Sequence, residues 1–205
     1  MCHHYLAAQS LAEDFGFEFS LSGASRAAVD RLTAELTNAG AWPLKTVPAL
    51  RIDDSGDLVA FGAEWGLLPR WWKPSDKVPK RSTFQRKTIN ARSETAATKP
   101  AFRDAWKHRR CLLPVSEFME RDHYFGIGEP VAFAGLWESW IGEDGDVLTT
   151  TLLTTKPNAE VQHVGHHRMP VLLTTPEDRR DWLAGSADER LVVPLADGAL
   201  AVRGK

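Results

Sequence analysis

At 205 residues, with 43% hydrophobic and 25% charged residues, the chain has the composition of one ordinary globular domain. No apolar run approaches the roughly 20 residues that a membrane span requires, and the first residues lack the basic and apolar regions of a secretion signal. Two cysteines, Cys2 and Cys111, are too few for a disulfide framework, so we expect a cytoplasmic protein.

The net charge of −2 is unevenly distributed along the chain. Between Arg70 and Arg110, thirteen Lys and Arg residues and three acids give +10, so the remainder carries −12. A basic segment within an acidic protein is typical of a surface that binds a phosphate backbone. A solvated basic face would produce the same pattern, so charge alone leaves both interpretations open.

Helix signals occur at three places. Apolar residues at helical spacing predict a helix over 24–38, and Pro100 favours a short helix over 101–106. Thr175, followed by a proline and two acids, has the properties of an N-cap for a third helix that ends at Gly185. Residues 73–88 are polar, basic and proline-containing, which predicts a long surface loop.

Strand signals are short and separated by turn residues. The predicted strands are 47–52, 58–65, 111–114, 131–140, 147–154 and 169–174. Because no regular βαβ alternation is present, we predict an α+β fold with a largely antiparallel sheet. We treat 1–205 as a single domain.

Two of the eight tryptophans stand out by their context. Trp71 and Trp72 lie between Pro69-Arg70 and Lys73-Pro74, where cations and prolines favour an exposed loop over an interior strand.

Cys2 is the first residue whose position suggests a distinctive reactivity. Because cysteine is small, we expect cells to remove Met1, which leaves an α-amine and a thiol on one residue. This 1,2-aminothiol can form an imine with an aldehyde and then close through sulfur to a thiazolidine. An incidental cysteine is the alternative. Chelation by Cys2, His3 and His4 is disfavoured because adjacent residues rarely bind one ion together, so no metal is expected.

Three further segments carry polar residues suited to a site. Asn90 can donate and accept hydrogen bonds, and Arg92 offers a planar fork for phosphate. Glu120 ends a short apolar segment and is a candidate general acid or base if partly buried. His166 precedes a buried strand, where a site residue would be held firmly. A turn residue, a surface acid and a structural histidine are the respective alternatives.

Together these segments resemble the SOS response-associated peptidase (SRAP) family, the abasic-site-processing proteins. That family opens with Met-Cys-Gly-Arg, then shows Trp-Gly-x-x-Pro-x-Trp, Asn-Ala-Arg-x-Glu, a Cys-x-x-Pro stretch ending in Glu, and His-Asp-Arg-Met-Pro. The matching segments here are Met1-Cys2, Trp65–Trp71, Asn90–Glu94, Cys111–Glu120 and His166–Pro170. The order agrees from residue 1 to about 185, and the tail 186–205 matches weakly.

The resemblance implies an enzyme that crosslinks to abasic sites in single-stranded DNA through Cys2, in the response to DNA damage. Asn90 would orient Cys2, and Glu120 and His166 would transfer protons. The family name implies self-cleavage of Met1, and abasic-site lyase activity is a further implication. No cofactor is implied.

The resemblance also implies a DNA-binding surface and a fold. Arg92 would contact phosphate, and Trp71 and Trp72 would lie beside the strand. The sheet would be partly barrel-like and flanked by short helices. We expect a monomer in the cytoplasm, associated with the nucleoid if the source is bacterial.

The chain departs from the family pattern at several positions. His4 replaces the family's arginine, so we expect any phosphate contact there mainly below neutral pH. Residues 42–48 replace an Asn-x-Ala-Pro element, with Trp42 at its start. Arg121 replaces an aromatic residue, and His167 replaces aspartate.

Two other functions fit the same residues. The first is an N-terminal-nucleophile thiol peptidase or amidase, in which Cys2, Asn90 and His166 hydrolyse an external amide. The second is a non-catalytic module that binds single-stranded DNA.

Overall fold

The computed structural model describes residues 2–8, 40–142, 145–185 and 189–205, together with the single positions 27, 31 and 34. The predicted helix over 24–38 therefore lies largely outside the described residues. Its three described positions are helical and exposed.

Twelve strands are described, in two sheets. They are β1 (Tyr5–Leu6), β2 (Thr46–Ile52), β3 (Leu58–Trp65), β4 (Asn90–Arg92), β5 (Arg110–Val115), β6 (Glu117–Glu120), β7 (His123–Gly126), β8 (Val131–Gly142), β9 (Gly145–Thr155), β10 (Met169–Pro170), β11 (Leu172–Leu173) and β12 (Ala201–Gly204). The predicted strand over 169–174 is thus two short strands, which pair with different partners, β9 and β8.

Five strands of the larger sheet close into a ring. β9 pairs with β3 in parallel, and antiparallel pairing then continues through β2, β5 and β8 back to β9. Close approach within the ring requires glycine at Gly135, where a Cβ atom would collide with the side chain of Leu113. The ring confirms the predicted α+β fold with a mainly antiparallel, partly barrel-like sheet.

The smaller sheet brings the N-terminal segment onto the rest of the molecule. Its strand order is β1-β6-β7-β12, with Tyr5 paired to Phe118. The Tyr5 ring is fully buried and makes edge contacts with Trp65 and Phe133. These aromatic contacts anchor the segment that carries Cys2.

Five short helices accompany the sheets in the described part of the chain: α1 (Arg81–Gln85), α2 (Ser93–Ala96), α3 (Arg103–His108), α4 (Ala159–His163) and α5 (Pro176–Leu183). The predicted N-cap of α5 is confirmed, since Thr175 Oγ1 accepts a hydrogen bond from the Asp178 amide at 3.1 Å. No helix among the described residues is long and apolar enough to cross a membrane.

The prediction of an unbroken loop over 73–88 is wrong for residues Arg81–Gln85, which form α1. Arg81 and Gln85 both donate hydrogen bonds to the Glu64 carboxylate at the end of β3, at 2.6 and 3.1 Å. Tertiary contacts with a neighbouring strand therefore hold this short helix, which local sequence does not specify.

Candidate active site

Cys2 lies just before β1 and is fully buried. Its thiol donates a hydrogen bond to the His4 carbonyl oxygen at 3.5 Å. Asn90, the first residue of β4, donates from Nδ2 to the Cys2 carbonyl oxygen at 2.9 Å. The structure thus brings together two of the predicted site residues that are 88 positions apart in the chain.

Glu120 and His166 form a second contact within the same site. Glu120 ends β6 with only 5% of its surface exposed, and its Oε2 lies 3.2 Å from His166 Nε2. Burial raises the pKa of Glu120 to about 7. The pKa of His166 is lowered to about 4, first by burial and then by positive neighbours that include Arg121 and His167. Near neutral pH, His166 is therefore neutral and the Glu120 carboxyl group is close to half-protonated.

The environment of Cys2 disfavours the thiolate form of its side chain. Burial raises its pKa, and the nearby Glu120 charge raises it further. The thiol thus stays protonated at neutral pH and needs a base to react. Cys111 is equally buried, its pKa is raised to about 12 by burial, and it contacts Thr150 Oγ1, in keeping with an inert core position.

Two arginines near Glu94, Arg92 and Arg168, have different environments. Arg168 forms a two-pronged salt bridge with Glu94 at 2.6 and 2.8 Å and also donates to the Thr154 carbonyl at 2.5 Å. Glu94 is therefore held in an ion pair with Arg168. Arg92 is exposed and forms no salt bridge with another described residue, so its guanidinium is open to solvent.

The two adjacent tryptophans have opposite environments. Trp71 is 56% exposed, and its indole donates to the Pro100 carbonyl at 3.2 Å. Trp72 is buried to 4% exposure against Phe84 and Trp140. The expectation that both are exposed is wrong for Trp72, because its ring packs into this aromatic cluster.

His4 is enclosed rather than facing solvent. It is 5% exposed, and its ring lies 4.3 Å from that of Trp42 and 5.9 Å from that of Tyr124, centroid to centroid. Burial lowers the pKa of His4. The structure therefore corrects the expectation of a solvent-facing cation at position 4.

Several cations of the basic segment form salt bridges with acidic residues of this chain. Arg109 contacts Asp104 and Glu138, Arg70 contacts Glu138 at 2.9 Å, and Arg81 contacts Glu64. Arg110 lies over the rings of Trp106 and Trp182. The cations of this segment that are exposed and form no described salt bridge are Lys73, Lys77, Lys80, Arg86, Lys87, Arg92, Lys99, Arg103 and Lys107.

The sequence identifies Arg121 only as a departure from the family pattern and assigns it no role in the site. Arg121 and Asp122 form the two-residue turn between β6 and β7, with φ angles of 51° and 60°. Both are non-glycine residues in the left-handed region, which is uncommon. Arg121 lies close enough to the carboxyl–histidine pair for its positive charge to act to lower the pKa of both Glu120 and His166. No group of three metal-ligating side chains is present among the described residues.

Fold and site together define an α+β protein whose N-terminal thiol lies beside a buried carboxyl–histidine pair. The chain matches the family model for the SOS response associated peptidase (SRAP) over residues 1–202, and it belongs to this family.

The names of curated relatives agree with this assignment. "Abasic site processing protein YoqW" of Bacillus subtilis is 37% identical over 131 residues, which cover 58% of this chain and 54% of that protein. "Abasic site processing protein HMCES" of Gallus gallus is 27% identical over 161 residues, covering 63% of this chain and 46% of that protein. The chain therefore spans about half the length of these curated relatives.

Two crystal structures show the same fold. A protein from Bacteroides thetaiotaomicron has a TM-score of 0.75 at 20% identity, covering 100% of this chain and 91% of that one. A protein from Bordetella bronchiseptica has a TM-score of 0.74 at 23% identity, covering 100% and 99%.

Proposed function

We propose that this chain processes abasic sites in single-stranded DNA by forming a thiazolidine between Cys2 and the aldehyde of the abasic sugar. The observation that supports it most is the convergence of Cys2, Asn90, Glu120 and His166 from four separate segments. The names of the relatives support the abasic site as the substrate.

The first step requires a free amine on Cys2, so Met1 must be removed. The reference pKa of an α-amine is ~7.7–8.0, so an appreciable fraction is neutral near pH 7. The neutral amine attacks the aldehyde carbon and gives a carbinolamine. Protonated Glu120 then donates its proton to the hydroxyl group, water leaves, and an iminium ion remains beside the Glu120 carboxylate.

The second step closes the ring. The Glu120 carboxylate removes the proton of the Cys2 thiol, and the sulfur adds to the iminium carbon. One C–N and one C–S bond have then formed, one water has been released, and Glu120 is protonated again. A carboxyl group whose pKa is about 7 suits both proton transfers near neutral pH.

The remaining residues position these groups. The amide of Asn90 holds the Cys2 carbonyl, which fixes the backbone that carries both nucleophiles. Neutral His166 can accept a hydrogen bond from the Glu120 carboxylic acid and orient its proton. Arg92, Trp71 and the exposed cations of the basic segment provide the contacts to a single strand.

A denaturing gel tests the proposal. Protein without Met1 is incubated with a labelled single strand that carries one abasic aldehyde, and then with the same strand carrying a stable tetrahydrofuran analogue without the aldehyde. We expect a heat-stable, slower band with the aldehyde strand only. A duplex with the same abasic site is expected to crosslink less.

The other outcomes support the alternative functions. Hydrolysis of peptide amides that depends on Cys2, without a DNA adduct, would indicate a thiol peptidase or amidase. Salt-dependent binding of both strands without an adduct would indicate a non-catalytic binding module. Either result would refute the crosslinking proposal.

A further inference from the structure

Two departures from the family pattern contact each other beside the active site. His4 and Trp42 lie 38 positions apart in the chain, yet their ring centroids are 4.3 Å apart with an interplanar angle of 31°. The His4 carbonyl also accepts the hydrogen bond of the Cys2 thiol. This ring pair is therefore coupled to the segment that carries the nucleophile.

The His4 ring is locked in place beneath Trp42. Gly40 has a φ angle of 70°, and a Cβ atom there would collide with the His4 ring, so only glycine fits. Tyr5 and Ala41 exchange backbone hydrogen bonds of 3.3 and 2.7 Å, which join the two segments. His4 thus supports Trp42 from below and is not available as a surface cation.

Trp42 is the exposed member of the pair, with 45% of its surface open to solvent. The turn that carries it is held by two backbone hydrogen bonds, from Lys45 to the Trp42 carbonyl at 3.2 Å and from Leu44 to the Trp65 carbonyl at 2.8 Å. Among the described residues, Trp71 is the other tryptophan with a large exposed surface. Trp42 therefore presents an aromatic surface from a turn whose backbone is fixed by hydrogen bonds.

The cavity beside Trp42 is of a size that suits one planar ring system. This cavity has a volume of about 220 Å³ and is also lined by Met119, Tyr124 and Lys205. His4 lines the same cavity, and its Nδ1 is buried without a hydrogen-bond partner among the described residues.

We propose that Trp42, supported by His4, is a base-stacking platform for a nucleotide adjacent to the abasic site. This inference rests on the proposed function, since it assigns a contact to the same substrate. An abasic nucleotide leaves the neighbouring base without one stacking partner, and an indole can supply that missing face. Stacking on an aromatic side chain is sequence-tolerant, because every base has a π-face.

The experiment measures binding without crosslinking. Single strands carry the tetrahydrofuran analogue, flanked on either its 5′ or its 3′ side by the fluorescent base 2-aminopurine. We expect the wild type to quench the fluorophore on one side, and Trp42→Ala to remove that quenching. Trp42→Ala should also weaken binding about 5- to 150-fold, whereas Trp42→Phe should retain part of the affinity.

Matched variants separate stacking from other effects. Ile141→Ala removes another exposed apolar side chain, 76% exposed, and should bind like the wild type. His4→Ala removes the ring that supports Trp42, so it should weaken binding by the same factor at pH 6 and at pH 7.5. A loss of affinity in His4→Ala at pH 6 alone would instead indicate a phosphate contact by the histidine cation.

A strand that lacks the flanking base provides the decisive control. The effect of Trp42→Ala should disappear on this strand, because no base remains to stack. An equal loss on both strands, or no loss on either, would overturn the inference. Thermal unfolding of each variant shows that the fold is intact. Crosslinking of the aldehyde strand by the wild type tests the proposed function separately. Failure of the stacking inference therefore leaves the crosslinking proposal testable, and the reverse also holds.

Discussion

The substitution Glu120→Gln separates the chemical role of this residue from its effect on stability. Glutamine keeps the shape and hydrogen-bonding capacity of the side chain but carries no titrating proton. If Glu120 transfers protons in both steps, the crosslinking rate should fall by ~10²–10⁴-fold. Affinity for an intact single strand should be nearly unchanged, because the Glu120 side chain is buried against His166.

The same variant should be more stable than the wild type at high pH. Glu120 has a pKa of about 7 in the fold, against an ordinary value of 4.5, so the folded chain binds this proton more tightly than the unfolded chain. Its contribution favours folding at low pH and is lost as the pH rises through about 7. The stability gained by Glu120→Gln should therefore be about 2–3 kcal/mol larger at pH 8 than at pH 5.

Thermal unfolding at the two pH values measures this difference, which corresponds to about 5–10 °C in Tm for a chain of this size. Glu117→Gln is the matched control, since this acid of the same strand pairs with Arg203 at 2.5 Å. It should leave the crosslinking rate unchanged. An unchanged rate in Glu120→Gln, or a stability gain that is equal at both pH values, would refute the assignment of Glu120 as a buried proton-transfer group.

Four further predictions test other parts of the proposal. Protein purified from cells should lack Met1 by intact-mass spectrometry, and full retention in crosslink-competent protein would remove the first step. Cys2→Ser should form an imine that borohydride traps, and a heat-stable adduct without reductant would exclude a role for sulfur. Arg92→Ala should weaken binding to all single strands alike and flatten the slope of log affinity against log salt by about 0.7, whereas an unchanged slope would place Arg92 away from phosphate. His166→Ala should mainly slow hydrolysis of purified adduct in a time course, and an unaltered rate would limit His166 to a structural role.

Local sequence signals account for the long elements of the fold. β2, β3, β5 and β8 are rich in apolar residues, β9 combines threonines with apolar residues, and the structure places all five in the closed ring. Short elements such as β4 and the β6–β7 hairpin carry no such signal, because a strand of three or four residues has too few positions to show a period. Their pairing with distant strands stabilises them.

The sequence by itself determined the residue types of the candidate site. A cysteine at position 2, Asn90, Glu120 and His166 stand in motifs whose order and chemistry indicate the family. Local signals also sufficed for the cap of α5, since a cap depends only on neighbours in the chain.

Only the tertiary structure decided what surrounds each of these residues. The opposite exposures of Trp71 and Trp72, the enclosure of His4 beneath Trp42, and the raised pKa of Glu120 all depend on contacts between distant segments. Burial and proton affinity are properties of a residue's surroundings in three dimensions, so a motif can name a carboxyl group but cannot state its charge at neutral pH.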